Sequence, residues 1–263
     1  MNKLLLNISF FFCCAIVLSQ HKVSDFDKII ESEMKMALRN SDNSHERALS
    51  ASTGNYDVTY HKLDFTIDPA VAFISGEITT TFIAKEDMTF MSFDFDDNMN
   101  VIEVTQGGVP LTFTHTSSDE LNITLATTVF EGNSGTVVVT YDGNPASSGF
   151  GSFEQTTHGP SNTPVIWTLS EPYGAKAWWP CKQDLDDKID VIDVYITAPS
   201  TYVSVSNGME QSAIITGANK TTHFKHQYPI PAYLIAIAIT NYTVYNHTVP
   251  NDCLLYTSPS PRD

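Results

Sequence analysis

The chain has 263 residues and a formal net charge of −16 at pH 7. A surface this acidic repels phosphate backbones, which excludes nucleic acid as a partner and leaves cationic amines as a class it attracts. With 42% hydrophobic residues the chain holds enough apolar material for one large or two small packed domains, and its length allows the same.

Residues 1–19 (MNKLLLNISFFFCCAIVLS) carry Lys3 ahead of an apolar run and end on small residues beside Gln20. That is the pattern of a secretory signal peptide. The run is short for a membrane span and no stop-transfer charges follow, so no span is expected after signal cleavage. The mature protein is expected to be exported, to the periplasm or the extracellular space. Residues 20–54 form a second segment. Ser24-Asp25 is placed to cap a short helix through Phe26, Ile29, Ile30, Met34 and Ala37, and 40–53 is a polar linker without periodicity.

From Asn55 to residue 252 the pattern is β throughout. Tyr56, Val58 and Tyr60 alternate with polar residues, and Leu63, Phe65 and Ile67 continue the alternation to Asp68-Pro69. Residues 72–84 read as a second long strand, with Gly76 a candidate bulge. Further strands are expected over 88–95, 101–105, 111–114, 121–125, 135–141, 165–169, 189–197, 202–206, 223–227 and 233–244. Many short strands at close spacing, with no long helix after Gly54, predict an all-β antiparallel sandwich or large curved sheet. The end of the chain, 253–263 (CLLYTSPSPRD), matches one reading frame of a common transposase sequencing adapter. It is expected to be a read-through artefact and is set aside from the fold. Without both ends Cys181 is the sole cysteine, which precludes an internal disulfide and suits a small buried hydrophobe.

Several motifs are tested and set aside. No H-E-x-x-H helix is present: His45-Glu46 lacks the second histidine. His223 and His226 are three apart on a strand, so they point to opposite faces and do not share a metal. A calcium loop counted from Asp94 fails at Met99 and Thr105, and one counted from Asp184 fails at Lys188. No nucleophile elbow or phosphate loop occurs. The N-x-S/T triplets at Asn122, Asn219, Asn241 and Asn246 are assigned no glycan.

One stretch stands apart: Glu171, Pro172, Tyr173, Gly174, Ala175, Lys176, Ala177, Trp178, Trp179, Pro180, Cys181 and Lys182, followed by the acidic run from Asp184. It packs a carboxylate, two prolines and three aromatics between strand-like segments. Glu171 leaves an apolar strand and is followed by Pro172, whose ring fixes the next backbone angle. A carboxylate so placed suits a rigid anchor for a substrate ammonium group, since a charge entering a closed pocket needs a partner. The alternative is a solvated glutamate at a strand end. Trp178 and Trp179 suit core packing or a stacking platform; a strand-like backbone would turn one inward and the other outward, and core packing of at least one is expected. Lys176 is a candidate partner for the acidic run, or an ordinary surface lysine.

This loop resembles the signature of the amino-terminal domain in aminopeptidase N-type zinc metallopeptidases, loosely E-P-x-x-A-R/K-x-x-x-P-C-x-D. Two further segments are similar to the same family. One is the opening NYDVTYHKLDFTIDPAVAFISGEITTTF around Gly76. The other is the PIPAYLIAIAITNYTVY strand, which follows the Asn207-Gly208 turn. The resemblance implies a saddle-shaped β domain that packs against a thermolysin-like zinc domain. It implies that Glu171 helps bind the α-amino group of peptide substrates, with Pro172, Gly174, Lys176, Trp178, Trp179, Pro180 and Cys181 structural around it. Lys176 replaces the usual arginine, and Leu169 stands where the family often has glutamine. Zinc, its ligands and the general base belong to a part of the parent beyond Asn251, so the fragment itself is expected to be inactive. The rival expectation is a non-catalytic extracellular β-sandwich, an adhesion or glycan-binding module.

Overall fold

A computed structural model describes residues 53–146 and 152–245. The signal-peptide segment, the helical arm except its last residues, and the adapter-like tail lie outside the described residues. Fifteen strands form in chain order: β1 Tyr56–Ile67, β2 Ile74–Ala84, β3 Met88–Asp94, β4 Asn100–Gln106, β5 Val109–Pro110, β6 Phe113–Thr116, β7 Glu120–Val129, β8 Ser134–Gly143, β9 Ser152–His158, β10 Thr163–Leu169, β11 Val191–Pro199, β12 Val203–Ser206, β13 Met209–Thr216, β14 Asn219–His226 and β15 Ile237–Thr240. The only helical pieces among the described residues are two single 3₁₀ turns, Ala175–Ala177 and Ala232–Leu234. The all-β expectation therefore holds. The strands build an eight-stranded sheet, β13-β14-β11-β1-β2-β8-β4-β5, a four-stranded sheet, β12-β15-β10-β9, and a three-stranded sheet, β3-β7-β6.

The period-2 burial that drives these strands is clearest in β2, where Ile74, Ile78 and Phe82 are fully buried and Glu77 and Ile83 face outward. Two details differ from the sequence reading. The irregularity falls in β1 between Val58 and Tyr60, not at Gly76, which pairs in register with Phe65. The extra residue turns Tyr60 to the outer face and brings His61, Leu63 and Phe65 into the core. Gly76 is required for another reason: a Cβ there would lie 2.6 Å from the Tyr141 ring. The large sheet is also not wholly antiparallel, because β1 and β11 run parallel, Leu63 facing Val194. A parallel pair needs a long crossover, and the chain between them contains most of the domain.

Three strands escaped the sequence pattern. β9 and β13 have little or no alternation because neither lays one apolar face on the core, and β5 is two residues long. The stretch expected as one strand over 233–244 begins inside the second 3₁₀ turn and holds only the four residues of β15 as strand. A single hydrophobic cluster joins the inner faces, from Tyr56 and Phe82 through Phe93 and Tyr141 to Trp178, Trp179, Ile192 and Ile239.

Candidate functional site

The chain leaves β10 at Leu169 and enters the loop that the sequence singles out. Ser170 is buried, Glu171 is exposed, and the Glu171–Pro172 peptide is cis. The amide of Gly174 donates to the carbonyl of Ser170 (2.8 Å), which closes the turn beneath Glu171 and Pro172. A Cβ at Gly174 would lie 2.5 Å from Ser152 Oγ and 3.2 Å from the Ser170 Cα, so the Ser152 hydroxyl would have to turn away.

The 3₁₀ turn that follows is not strand-like, and it places both tryptophans in the core rather than one in and one out. Both Trp178 and Trp179 are fully buried, because a tight turn does not alternate its side chains as a strand does. Each indole removes on the order of 200 Å² of surface from water, worth roughly 5 kcal/mol before ordering costs, which outweighs a short irregular backbone. Trp178 Nε1 donates to Ser170 Oγ (3.0 Å), its carbonyl accepts from the Tyr141 hydroxyl (2.6 Å), and its ring packs on Phe65. Trp179 stands against the His61 ring, centroids 5.2 Å apart and nearly perpendicular. Its indole N–H has no hydrogen-bond partner among the described residues. The pair forms no exposed platform on which a sugar or base would stack.

The far side of the loop is fastened at several points. Cys181 and Asp94 exchange backbone hydrogen bonds (3.0 and 2.8 Å), and the Asp94 carboxylate accepts from the Gln183 amide (2.9 Å). Cys181 is fully buried, and burial, then the Asp94 charge, pushes its thiol well up. It is therefore a packing residue, not a nucleophile. Lys176 does not pair with the acidic run after Cys181. Its Nζ lies 2.6 Å from Asp119 Oδ2, on the turn between β6 and β7, while its own carbonyl accepts from the Asp96 amide.

The lysine that does join the acidic run is Lys182, which sequence reasoning passed over. Its side chain is 2% exposed. The ammonium donates to Asp187 and to the Tyr56 carbonyl (2.7 Å), lies 3.8 Å from Asp184, and sits over the Tyr56 ring. Asp187 also accepts from the Val58 amide (3.3 and 3.4 Å). Burial raises the Asp187 carboxyl above the usual range, and the Lys182 contact opposes that shift. The sequence signal for this pair was the five-residue spacing, Lys182 to Asp187, but that spacing does not reveal burial. Thus the acidic run is not entirely a solvated turn: one of its members crosses to the start of β1.

The result is an exposed Glu171, with Pro172 and Tyr173 half-buried beside it, on a loop whose base is held by β1, β3, β8 and the β6–β7 turn. Glu171 itself makes no hydrogen bond or ion pair with the described residues. His223 Nε2 lies 2.6 Å from Asp193 and its ring stacks on Tyr195, whereas His226 contacts Tyr228. The two histidines are thus engaged separately. Asp96, Asp97 and Asp119 bring three carboxylates within 4.8 Å, but Asp119 is committed to Lys176 and a set without nitrogen or sulfur does not suit zinc. None of the described residues fits a catalytic zinc site. No helix among them is long and apolar enough to cross a membrane.

Comparison with known proteins gives a consistent picture. The family model described as the Peptidase M1 N-terminal domain matches residues 55–234. Leucine aminopeptidase 2 of Vanderwaltozyma polyspora is 40% identical over 86 residues, which is 32% of this chain and 12% of that protein. A two-domain M1 zinc metallopeptidase variant solved with L-arginine has a TM-score of 0.65 at 22% identity, covering 72% of this chain and 43% of that one. An M1 zinc metallopeptidase from Deinococcus radiodurans gives 0.62 at 21% identity, covering 72% and 43%. A variant of the Deinococcus radiodurans enzyme solved with a Tyr-Ser-Ala substrate gives 0.62 at 22% identity, covering 71% and 42%. The chain therefore spans less than half the length of these solved relatives and about an eighth of the curated one.

Proposed function

Because this chain belongs to the Peptidase M1 N-terminal domain family, we propose that it is the amine-anchoring front module of an exported zinc-dependent aminopeptidase. The parent removes amino-terminal residues from peptides. Residues 1–19 direct export, 20–54 are an arm, and 55–252 are the module. Zinc and its ligands lie in the rest of the parent, and the fragment has no hydrolytic activity of its own.

One observation carries this reading: an exposed carboxylate with no hydrogen bond or ion pair among the described residues, on a loop whose other charged side chains are paired. Glu171 is free to take an outside partner while Ser170, Gly174 and Trp178 hold the backbone beneath it. A rigid support matters because a charged group that must first be ordered loses part of what it gains on pairing. When the missing domain closes over this edge and excludes water, a carboxylate opposite the substrate ammonium becomes a charge-assisted hydrogen bond. That contact selects peptides with a free amino terminus and fixes the scissile bond at a set distance from it.

The test uses the full-length parent, with the reading frame extended past Asn251 in the source DNA. An H-E-x-x-H segment in the extension supports the reading; a stop codon or a further β repeat counts against it. Glu171→Gln then removes the charge and keeps the shape. KM for amino-acid amides is expected to rise about 10- to 100-fold, the worth of one hydrogen bond to a charged group. The thermal midpoint should not move, since Glu171 supports nothing in the fold. Unchanged KM would remove Glu171 from the substrate site.

A further inference from the structure

The eight-stranded sheet ends in two edges of opposite character. At one end β5 is two residues long and contains Pro110, so it offers almost no free ladder. At the other end β13 runs for eight residues. Its segment from Gln211 to Thr216 (QSAIIT) contains no charged residue and no proline. Met209, Ile214 and Ile215 are 75%, 61% and 65% exposed. Two neighbouring isoleucines on a strand point to opposite faces, so this edge is apolar on both sides as well as unpaired along its backbone. Among the described residues no strand lies beyond it.

We propose that β13 pairs edge to edge, antiparallel, with β13 of a second copy of this chain, giving a two-fold dimer with one continuous sheet. The irregularity in β13 between Glu210 and Ser212 limits a straight ladder to the residues after it. An antiparallel pair centred on Ile214 sets Ile214 against Ile214, Ala213 against Ile215 and Ser212 against Thr216. No like charges meet, and each exposed isoleucine gains an apolar neighbour. A partner for this edge must be an uncharged strand, apolar on both faces, and β13 itself meets that description. The symmetry closes the contact after two copies, because the same edge is used by both.

The contact is small and falls in the class under about 1,200 Å², so the dimer is weak and concentration-dependent. Each copy also carries a net charge of −16, and repulsion between copies opposes pairing at low salt. Added salt screens that repulsion, so association strengthens with ionic strength, opposite to an interface held by ion pairs. The inference is independent of any role for Glu171.

Sedimentation of the full chain tests it. Between about 50 mM and 500 mM salt the weight-average mass should move from near the monomer toward, and not beyond, twice that value as protein concentration rises. Ile214→Lys should abolish the shift, whereas Val109→Lys on the opposite edge should leave it intact. Should Ile214→Lys fail to fold, amide exchange on the unaltered protein decides: protection of residues 212–216 should increase with concentration. A monomer at all concentrations and salts, growth past the dimer, or a dimer indifferent to Ile214→Lys would overturn the proposal. Concentration-independent protection of β13 in the chain extended past Asn251 would assign this edge to the rest of the polypeptide and overturn it equally.

Discussion

Replacing Lys182 with methionine tests the idea that the loop is tied to β1 by a buried charge pair. The substitution keeps much of the side-chain volume and deletes the ammonium. It removes the hydrogen bonds to Asp187 and to the Tyr56 carbonyl and leaves Asp187, whose side chain is 3% exposed, with only the Val58 amide. An uncompensated buried carboxylate of this kind costs about 3–5 kcal/mol. For a domain of this size that lowers the thermal midpoint by about 6–20 °C. Urea unfolding followed by tryptophan fluorescence measures it. The pH dependence supplies a second check. Burial already raises the Asp187 carboxyl in the folded protein, and the loss of Lys182 raises it further. A raised folded-state carboxyl binds its proton more readily than in the unfolded chain, so ionising it costs stability as pH rises. Lys182→Met should therefore be least damaging in mild acid and most damaging above neutrality. The double variant Lys182→Met, Asp187→Leu should recover most of the loss, because the orphaned charge is gone. A double variant no more stable than the single one would show that the damage is packing, not charge, and would refute the reasoning.

Two further substitutions probe the core and a tight turn. His61 is buried against Trp179 and hydrogen-bonded to Thr80, and burial lowers its pKa from 6.5 to about 3. Its folded pKa lies below the unfolded one, so its contribution to stability declines as pH falls from about 6.5 to about 3, by roughly 4–5 kcal/mol in total. Chemical denaturation across that range should show this loss in the unaltered protein and not in His61→Leu; parallel curves would rule the histidine out. Gly208→Ala places a Cβ 2.2 Å from the Lys225 carbonyl oxygen at a φ of +90°, and should cost about 2 kcal/mol or more by thermal melting. A change below about 0.5 kcal/mol would mean that the turn moves freely.

Much of the scaffold was legible from residue order because alternation is a local property. Val58, Leu63, Phe65 and Ile67 declare their strand within twelve residues, and so do Ile74, Ile78 and Phe82. Where alternation carries no information the reading fell short: β13 is exposed almost throughout, so nothing in its pattern distinguishes inside from outside. The shift in β1 is similar, since Tyr60 looks like the next inward residue until the extra residue turns it out.

At the loop, composition alone marked Glu171 and its neighbours, and fixed that the segment combines a carboxylate with unusual aromatic bulk. What those side chains touch was decided elsewhere in the chain. Lys176 meets Asp119 across 57 positions, Lys182 meets the Tyr56 carbonyl across 126, and Tyr141 reaches the Trp178 carbonyl across 37. No local pattern encodes such partners. A lysine beside aspartates reads as solvated unless the sheet that covers it is known, because burial depends on what other segments bring over it. Residue order thus determined the β class and the loop worth attention, and only the packed sheets decided which charges are inside, which tryptophans are core, and that Glu171 is exposed with no ion pair among the described residues.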